Sequence, residues 1–375
     1  MNFLMGQLNI LISALIIGFL PHQEVSDYIA FESLEKDEQM ENMIFEQIDH
    51  ESLYGAVFHI GQGDEVIHSA AGNLEADEPF SIASVTKMFT ASVIFQMAED
   101  GLIRMNDTID MYLRPGEYSG LHVYEGTEYS ESITIRQLIS QTTGLPAYAE
   151  NEAEGLTLVE ESIDNGASFT FTSKLDSAKE KGARFVNGEG AYYADINYDI
   201  LGEIIERVSE DTLESQYEQY IFEPLELEDT FLAEADEEDS EVPPVVVNGG
   251  ERDISPILEN MRASGGLIST SDDLMVFVKS FFNGGMFDES FINTDSLQDI
   301  QFYFHQYGNG FMNFDVSAEV PVFDMHPLAG HAGVNGSFAF YNRELDLYIT
   351  GTTNQASDPM LNYELIQQFI NLAEE

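Results

Sequence analysis

Residues Phe80–Ala91 read FSIASVTKMFTA. From Ser84 to Leu102 apolar residues stand on nearly every side, which predicts a helix buried in a core. Ser84 and Lys87 are three residues apart and so share one face of that helix. A serine hydroxyl is a poor nucleophile without a nearby base. An amine one turn away can take or relay its proton, and burial lowers the pKa of such an amine. Ser84 also opens the helix, so its own N–H is free to bind an oxyanion. The S-x-x-K spacing is weak alone: with six lysines, about 0.4 chance matches are expected. Its setting adds weight, because Lys87 lies among apolar residues with no acidic neighbour in sequence.

Working outward, Gly55–Ile60 (GAVFHI) and Glu65–Ala70 (EVIHSA) read as two strands joined by a Gly61-Gln62-Gly63-Asp64 turn. Before them, Met40, Met43, Ile44 and Ile48 recur at helical spacing within the acidic stretch Val25–His50. After the nucleophile segment, Thr134 precedes IRQLIS, and Gly144 and Pro146 follow, marking a short helix. Asn197–Val208 is amphipathic. The acid-rich run Glu234–Glu241 and Pro243-Pro244 read as a solvated loop. Thr270 with Asp273 predicts a capping box opening SDDLMVFVKSFF. Ser337–Tyr341 and Leu347–Thr353 predict a second hairpin, and Leu361, Leu365, Ile366, Phe369 and Leu372 a closing helix. No internal repeat is present. The order strands, helices, strands predicts an α+β fold: an antiparallel sheet flanked by helices, built from residues 25–80 and 266–375, with a mostly helical lobe, 81–265, inserted between them. The nucleophile then lies at the interface of the lobes, a common place for a binding site.

Composition narrows the function. The chain has 375 residues and no cysteine, which excludes a disulfide framework, a thiolate zinc site and a cysteine nucleophile. Lys and Arg total 14 against 68 Asp and Glu, a formal net charge of −54. Nucleic-acid binding depends on cationic side chains and is excluded as a function; docking on an anionic membrane surface is disfavoured for the same reason. Charged residues make up only 22%, so cations are missing rather than acids added in bulk. Such a surface repels itself at low salt, and about 1 M salt screens charges beyond roughly 3 Å. A salt-adapted, halophilic protein is expected. Phe3–Leu20 is almost wholly apolar and ends at Pro21. It reads as a signal peptide or membrane anchor over residues 1–24, though no Lys or Arg precedes it and no clear cleavage site follows. The expected location is exported: periplasmic, extracellular or membrane-anchored.

With these segments in view, the sequence resembles the serine β-lactamase-related family, which contains class C β-lactamases, D-Ala-D-Ala carboxypeptidases and family VIII carboxylesterases. The resemblance runs from about Gly55 to Asn354. It is carried, in family order, by FSIASVTKMFTA, ITIRQLISQTTGLP (Ile133–Pro146), YADINYDILGEIIE (Tyr193–Glu206), IFEPLELEDTF (Ile221–Phe231), SGGLISTSDDL (Ser264–Leu274), YGNGFM (Tyr307–Met312) and GHAGVNGSFAF (Gly330–Phe340). It implies a β-lactamase/transpeptidase-like fold and no cofactor. It implies Ser84 as the acylated nucleophile, Lys87 as its proton partner and Tyr193 as general base or relay. His331-Ala332-Gly333 aligns with the strand motif across the cleft, and the Val334 N–H would be the second oxyanion donor.

Two positions depart from the family pattern. Asp195 stands where many relatives have asparagine; an ionised aspartate can only accept hydrogen bonds, which weakens recognition of a substrate amide carbonyl. A carboxylate near Lys87 would also hold the amine protonated, which moves the role of base towards Tyr193, with Lys87 as a cation stabilising a tyrosinate. His331 replaces a lysine that in β-lactamases helps hold the substrate carboxylate, and a neutral histidine does so less well. The expected activity is hydrolysis through an acyl-Ser84 intermediate on esters, small amides or D-amino-acid peptides, by a monomer. Asp195, His331, Gly333 and Val334 are expected to contact substrate. β-Lactamase activity is the nearer alternative. A non-catalytic protein binding peptidoglycan-type ligands is the alternative of another class, and cation binding by the acidic face is a third. His59, His68, His122, His305 and His326 show no metal-ligand spacing in the sequence and are assigned no metal site.

Overall fold

The computed structural model describes residues 34–63, 65–148, 168–233, 242–292, 296–302, 304–315 and 326–374. The expected leader, 1–24, and the acidic run 234–241 lie outside them. Among the described residues, no helix is long and apolar enough to cross a membrane.

An eight-stranded antiparallel sheet organises the two ends of the chain. In chain order its strands are β1 (Gly55–Gln62), β2 (Glu65–Gly72), β3 (Gln298–Asp299), β4 (His305–Tyr307), β5 (Met312–Phe314), β6 (Leu328–Ala332), β7 (Ser337–Asn342) and β8 (Leu347–Thr352). Their spatial order is β3-β4-β5-β6-β7-β8-β1-β2. The N-terminal hairpin thus completes a sheet made mainly by the last quarter of the chain. Both strands of that hairpin run two residues past the expected ends.

Alternation along the strands gives the sheet two unlike faces. Phe58, Ile60, Phe338 and Phe340 point to one face, where they pack on α1 (Lys36–Gln47) and α5 (Pro359–Glu374) through Met40, Ile44, Leu365, Ile366 and Phe369. Phe58 meets Phe338 and Phe369 with ring centroids 4.9 and 4.7 Å away. Each buried ring of this kind contributes roughly 1.5–3 kcal/mol by removal from water. The opposite face carries α4 (Ser271–Phe282), whose Phe277 and Phe281 join the core of the helical part.

That core is built around α2 (Thr86–Glu99), whose interior residues are buried all round, as the absence of a polar stripe predicted. Across it lies α3 (Asp195–Ser209). Thr134 opens its helix, as the sequence suggested, and the structure adds a reciprocal cap with Gln137. Thr270 caps α4 by accepting from the Asp273 N–H, but the expected capping box is only half made. The Asp273 carboxylate instead accepts from the Asp229 N–H and the Thr230 hydroxyl, tying α4 to a neighbouring loop. A small sheet stands at the boundary between the two parts. Phe80–Ser81, Leu267–Ser269 and Phe231–Leu232 form a small antiparallel sheet, and this sheet holds the start of α2.

Candidate active site

Ser84 sits in a 3-10 turn, Ala83–Val85, that leads directly into α2. The turn is held from both sides. Ile82 N–H donates to Leu267 O at 3.1 Å, and Leu267 N–H donates to the Thr86 hydroxyl at 3.1 Å. From the sheet, the Asn335 amide donates to Ser81 O at 2.7 Å and the Ser337 hydroxyl to Ile82 O at 2.8 Å. These bonds keep Ala83 at φ +42°, a backbone region that costs a non-glycine residue about 1–3 kcal/mol. Strain beside Ser84 is thus held between the Leu267 strand on one side and residues 335 and 337 on the other.

The β6–β7 turn, residues 333–336, explains Gly333. A Cβ there would lie 2.2 Å from Ser337 Oγ, 2.7 Å from Asn335 Oδ1 and 2.9 Å from Ala83 Cβ. Only a glycine lets the strand end approach the Ser84 turn this closely. Val334, next in the chain, is 79% exposed, so its side chain stands clear of the core. Asn335, Ser337 and the Ser264 carbonyl are site residues that the sequence reading left unassigned, although all three lie inside segments it had matched.

Lys87 is fully buried, and its ammonium has three partners. Nζ lies 2.7 Å from Asp195 Oδ1, 2.6 Å from Ser264 O and 3.1 Å from Ser84 Oγ. Burial opposes the charged form, but the Asp195 carboxylate and the Tyr193 oxygen more than offset it, and the pKa is raised above the ordinary lysine value. Burial alone had suggested a lowered value. Asp195, at the first position of α3, is the cause of the difference. Its carboxylate is turned to Lys87, so its principal contact is the buried ammonium.

Tyr193 is buried beside this pair, its ring centroid 5.0 Å from Lys87 Nζ. Its hydroxyl has no well-aligned hydrogen-bond partner among the described residues, although Lys87 and Ser84 are its polar neighbours. Its backbone is fixed by a reciprocal pair of bonds with the Gln301 side chain, each 2.8 Å. Burial raises the phenol's pKa and Lys87 lowers it; with Asp195 also raising it, the net direction is upward. A resting tyrosinate is therefore disfavoured, against the simplest form of the expectation.

His331 lies enclosed behind Tyr193. It is fully buried on β6, with Nδ1 2.9 Å from Ala332 O and Nε2 3.4 Å from the Tyr307 hydroxyl. Burial, then Lys87, push its pKa down to about 3. A neutral, enclosed ring cannot hold a substrate carboxylate. Instead it forms the wall behind Tyr193, ring centroids 6.0 Å apart. Tyr307 continues that wall, donating to the Tyr198 hydroxyl at 3.0 Å.

Residues 40–368 match the family model Beta-lactamase. The chain is 24% identical over 219 residues to the D-alanyl-D-alanine-carboxypeptidase/endopeptidase AmpH of Escherichia coli (strain K12), an alignment covering 58% of this chain and 52% of that protein. The chain spans about half the length of that curated relative. Among solved structures, it superimposes on a D-stereospecific amidohydrolase from Streptomyces sp. with TM-score 0.70 and 23% identity, covering 88% of this chain and 97% of the other. A D-amino acid amidase from Ochrobactrum anthropi SV3 gives TM-score 0.73 and 18% identity, covering 90% and 98%. These likenesses establish the β-lactamase/transpeptidase-like fold, and with a family match running through nearly all of the described structure, this chain belongs to the Beta-lactamase family.

Proposed function

We propose that the chain is a serine hydrolase that acylates Ser84 with esters, small amides or D-configured amino-acid derivatives and then hydrolyses the acyl-enzyme. One observation carries the assignment of roles. An ammonium has three N–H donors and no acceptor, and all three of those on Lys87 are engaged, by Asp195, Ser264 O and Ser84 Oγ. Lys87 therefore has no lone pair for the serine proton. It holds the Ser84 oxygen and leaves the hydroxyl hydrogen to the Tyr193 oxygen.

In the reactive form Tyr193 has lost its proton. Ser84 Oγ attacks the carbonyl carbon as its proton passes to Tyr193. The tetrahedral oxyanion is received by the N–H groups of Ser84 and Val334. Tyr193 then gives its proton to the leaving nitrogen or oxygen as that bond breaks. Deacylation repeats the steps with water as nucleophile. Asp195 limits the reactive fraction at neutral pH, so activity rises towards alkaline pH.

The activities of the relatives, a D-alanyl-D-alanine carboxypeptidase/endopeptidase, a D-stereospecific amidohydrolase and a D-amino acid amidase, favour D-configured acyl groups. The neutral His331 speaks against efficient β-lactam turnover, which needs a cation for the carboxylate. We further propose that the protein is exported through its apolar N-terminal segment and works as a monomer at high salt.

The test is intact mass after incubation with a fluorophosphonate, a penicillin and a short-chain nitrophenyl ester, at low and molar salt, with Ser84→Ala as control. One adduct per chain, absent in the variant, with ester turnover, is expected. Rapid penicillin turnover would reverse the substrate ranking. A folded protein that forms no adduct would be a ligand-binding protein instead.

A further inference from the structure

His59 and His68 lie nine residues apart in sequence, and Asp272 more than two hundred beyond them, a spacing without any metal signature. The fold brings them together. His59 on β1 and His68 on β2 are direct cross-strand partners, on the face that packs against α4. Their rings are 4.3 Å apart, centroid to centroid. Asp272, at the second position of α4, points its carboxylate at both: Oδ1 is 3.0 Å from His59 Nδ1 and 3.4 Å from His68 Nδ1. One donor atom from each residue falls within 4.8 Å of the others.

We propose that His59, His68 and Asp272 form a binding site for a borderline divalent transition metal, with zinc as its natural type. Zinc–nitrogen and zinc–oxygen bonds of about 2.0–2.1 Å at tetrahedral angles place neighbouring ligand atoms roughly 3.3 Å apart. The contacts of 3.0 and 3.4 Å fall on either side of that length. Two imidazoles and one carboxylate are a donor set that suits zinc and neighbouring transition ions over magnesium or calcium. His59 Nε2 has no hydrogen-bond partner among the described residues, so Nδ1 makes the ring's polar contact.

The opposite edge of the site is open. The His68 and Asp272 side chains are 48% and 54% exposed, giving an ion a path in and room for water at the fourth position. The site is three strands from β6 and separate from Ser84. Bound metal would clip the edge hairpin β1–β2 to α4, joining segments far apart in the chain. Its expected effect is on stability. The competing reading is that the two imidazoles simply donate into one carboxylate oxygen.

The experiment uses the full chain with Zn2+ in equilibrium dialysis, in molar NaCl and a large excess of Mg2+. These occupy or screen the many surface carboxylates. One Zn2+ per chain is expected to remain bound, and Co2+ is expected to give the visible absorption of a low-coordinate site. Zinc should raise Tm by several degrees. His68→Ala and Asp272→Asn, both at exposed side chains, should each weaken Zn2+ binding at least about tenfold and abolish the Tm shift, with fluorophosphonate labelling of Ser84 unchanged. Zn2+ that Mg2+ displaces completely, or that binds the two labelled, folded variants as tightly as the parent, overturns the proposal.

Discussion

The Lys87 ammonium and the Asp195 carboxylate form an ion pair, Nζ to Oδ1 2.7 Å, with the lysine side chain fully buried and the aspartate 14% exposed. Together with the raised pKa of Lys87, this favours the charged form of the amine. Replacing Asp195 by Asn removes the anion that disfavours proton loss from both Lys87 and Tyr193. The first deprotonation of the Lys87–Tyr193 pair then moves to lower pH by about 1–3 units. In a profile of kcat/KM against pH, the ascending limb of Asp195→Asn should shift towards acid by that amount. A limb that stays in place, or moves towards alkali, would show that Asp195 does not set the base.

Tyr193→Phe keeps the ring and its packing against Tyr307 and His331 and removes only the oxygen proposed to take the serine proton. General-base contributions are typically about 100- to 10,000-fold. We expect kcat to fall within that range, KM to change little and Tm to hold. Acylation by a fluorophosphonate, followed by intact mass, should slow in parallel. Full activity in the variant would return the base role to Lys87.

Gly333→Ala tests the turn that faces the nucleophile. The new Cβ would meet Ser337 Oγ and Asn335 Oδ1, atoms of the two side chains that donate to the Ile82 and Ser81 carbonyls through Ser337 Oγ and Asn335 Nδ2. The turn must move, and the Val334 N–H moves with it. Loss of one oxyanion donor costs about 100- to 1,000-fold in kcat. The expected variant is folded, with Tm lowered modestly and turnover lost to that extent.

How much of this was legible follows from distance along the chain. Ser84 with Lys87, the Thr134 cap and both hairpins depend on residues within a few positions of one another, and propensity and spacing encode them. Asp195 is intermediate: a carboxylate in that motif suggested a protonated lysine, but only the packing of α3 on α2 shows that the pair closes. His331 was read as a cleft residue, yet whether its ring faces the cleft or the core is set by the pairing of β6 with β5 and β7, which no local pattern contains. The capping box failed for a similar reason. Asp273 had a better use, in a contact with Asp229 and Thr230 that lie far away in sequence. The His59–His68–Asp272 cluster needs both a strand register and a helix docking, and no spacing rule could have found it.

His331 also gives a stability prediction with a definite sign. Its folded pKa, pushed down to about 3 by burial and then Lys87, lies below the unfolded value near 6.5. Between these limits the unfolded chain binds the proton and the folded one does not. Stability is therefore complete above about pH 6.5 and is lost as pH falls towards 3. The loss from this residue is of the order of a few kcal/mol. Denaturant unfolding at pH 7 and pH 4.5 should show a smaller decrease for His331→Asn than for the parent, even if the variant starts less stable. Equal decreases would mean that the ring is already protonated in the fold.

The salt response follows from where the cations are. Lys87 pairs with Asp195, Lys174 with Asp199 at 2.5 Å, Arg207 with Glu117 and Glu203, and Arg262 with Glu206. Such pairs occupy several of the 14 basic side chains, while the chain carries 68 acidic ones. With so few cations, most carboxylates can have no basic partner to offset their mutual repulsion. That repulsion is reduced by screening at molar salt, whereas the buried pairs are screened much less. Tm should rise by at least about 5 °C between 0.05 and 1 M NaCl. KCl should act like NaCl, since screening depends on ionic strength rather than ion identity. A flat or falling Tm would mean that the acidic surface serves solubility alone, and that the missing cations are not an adaptation to salt.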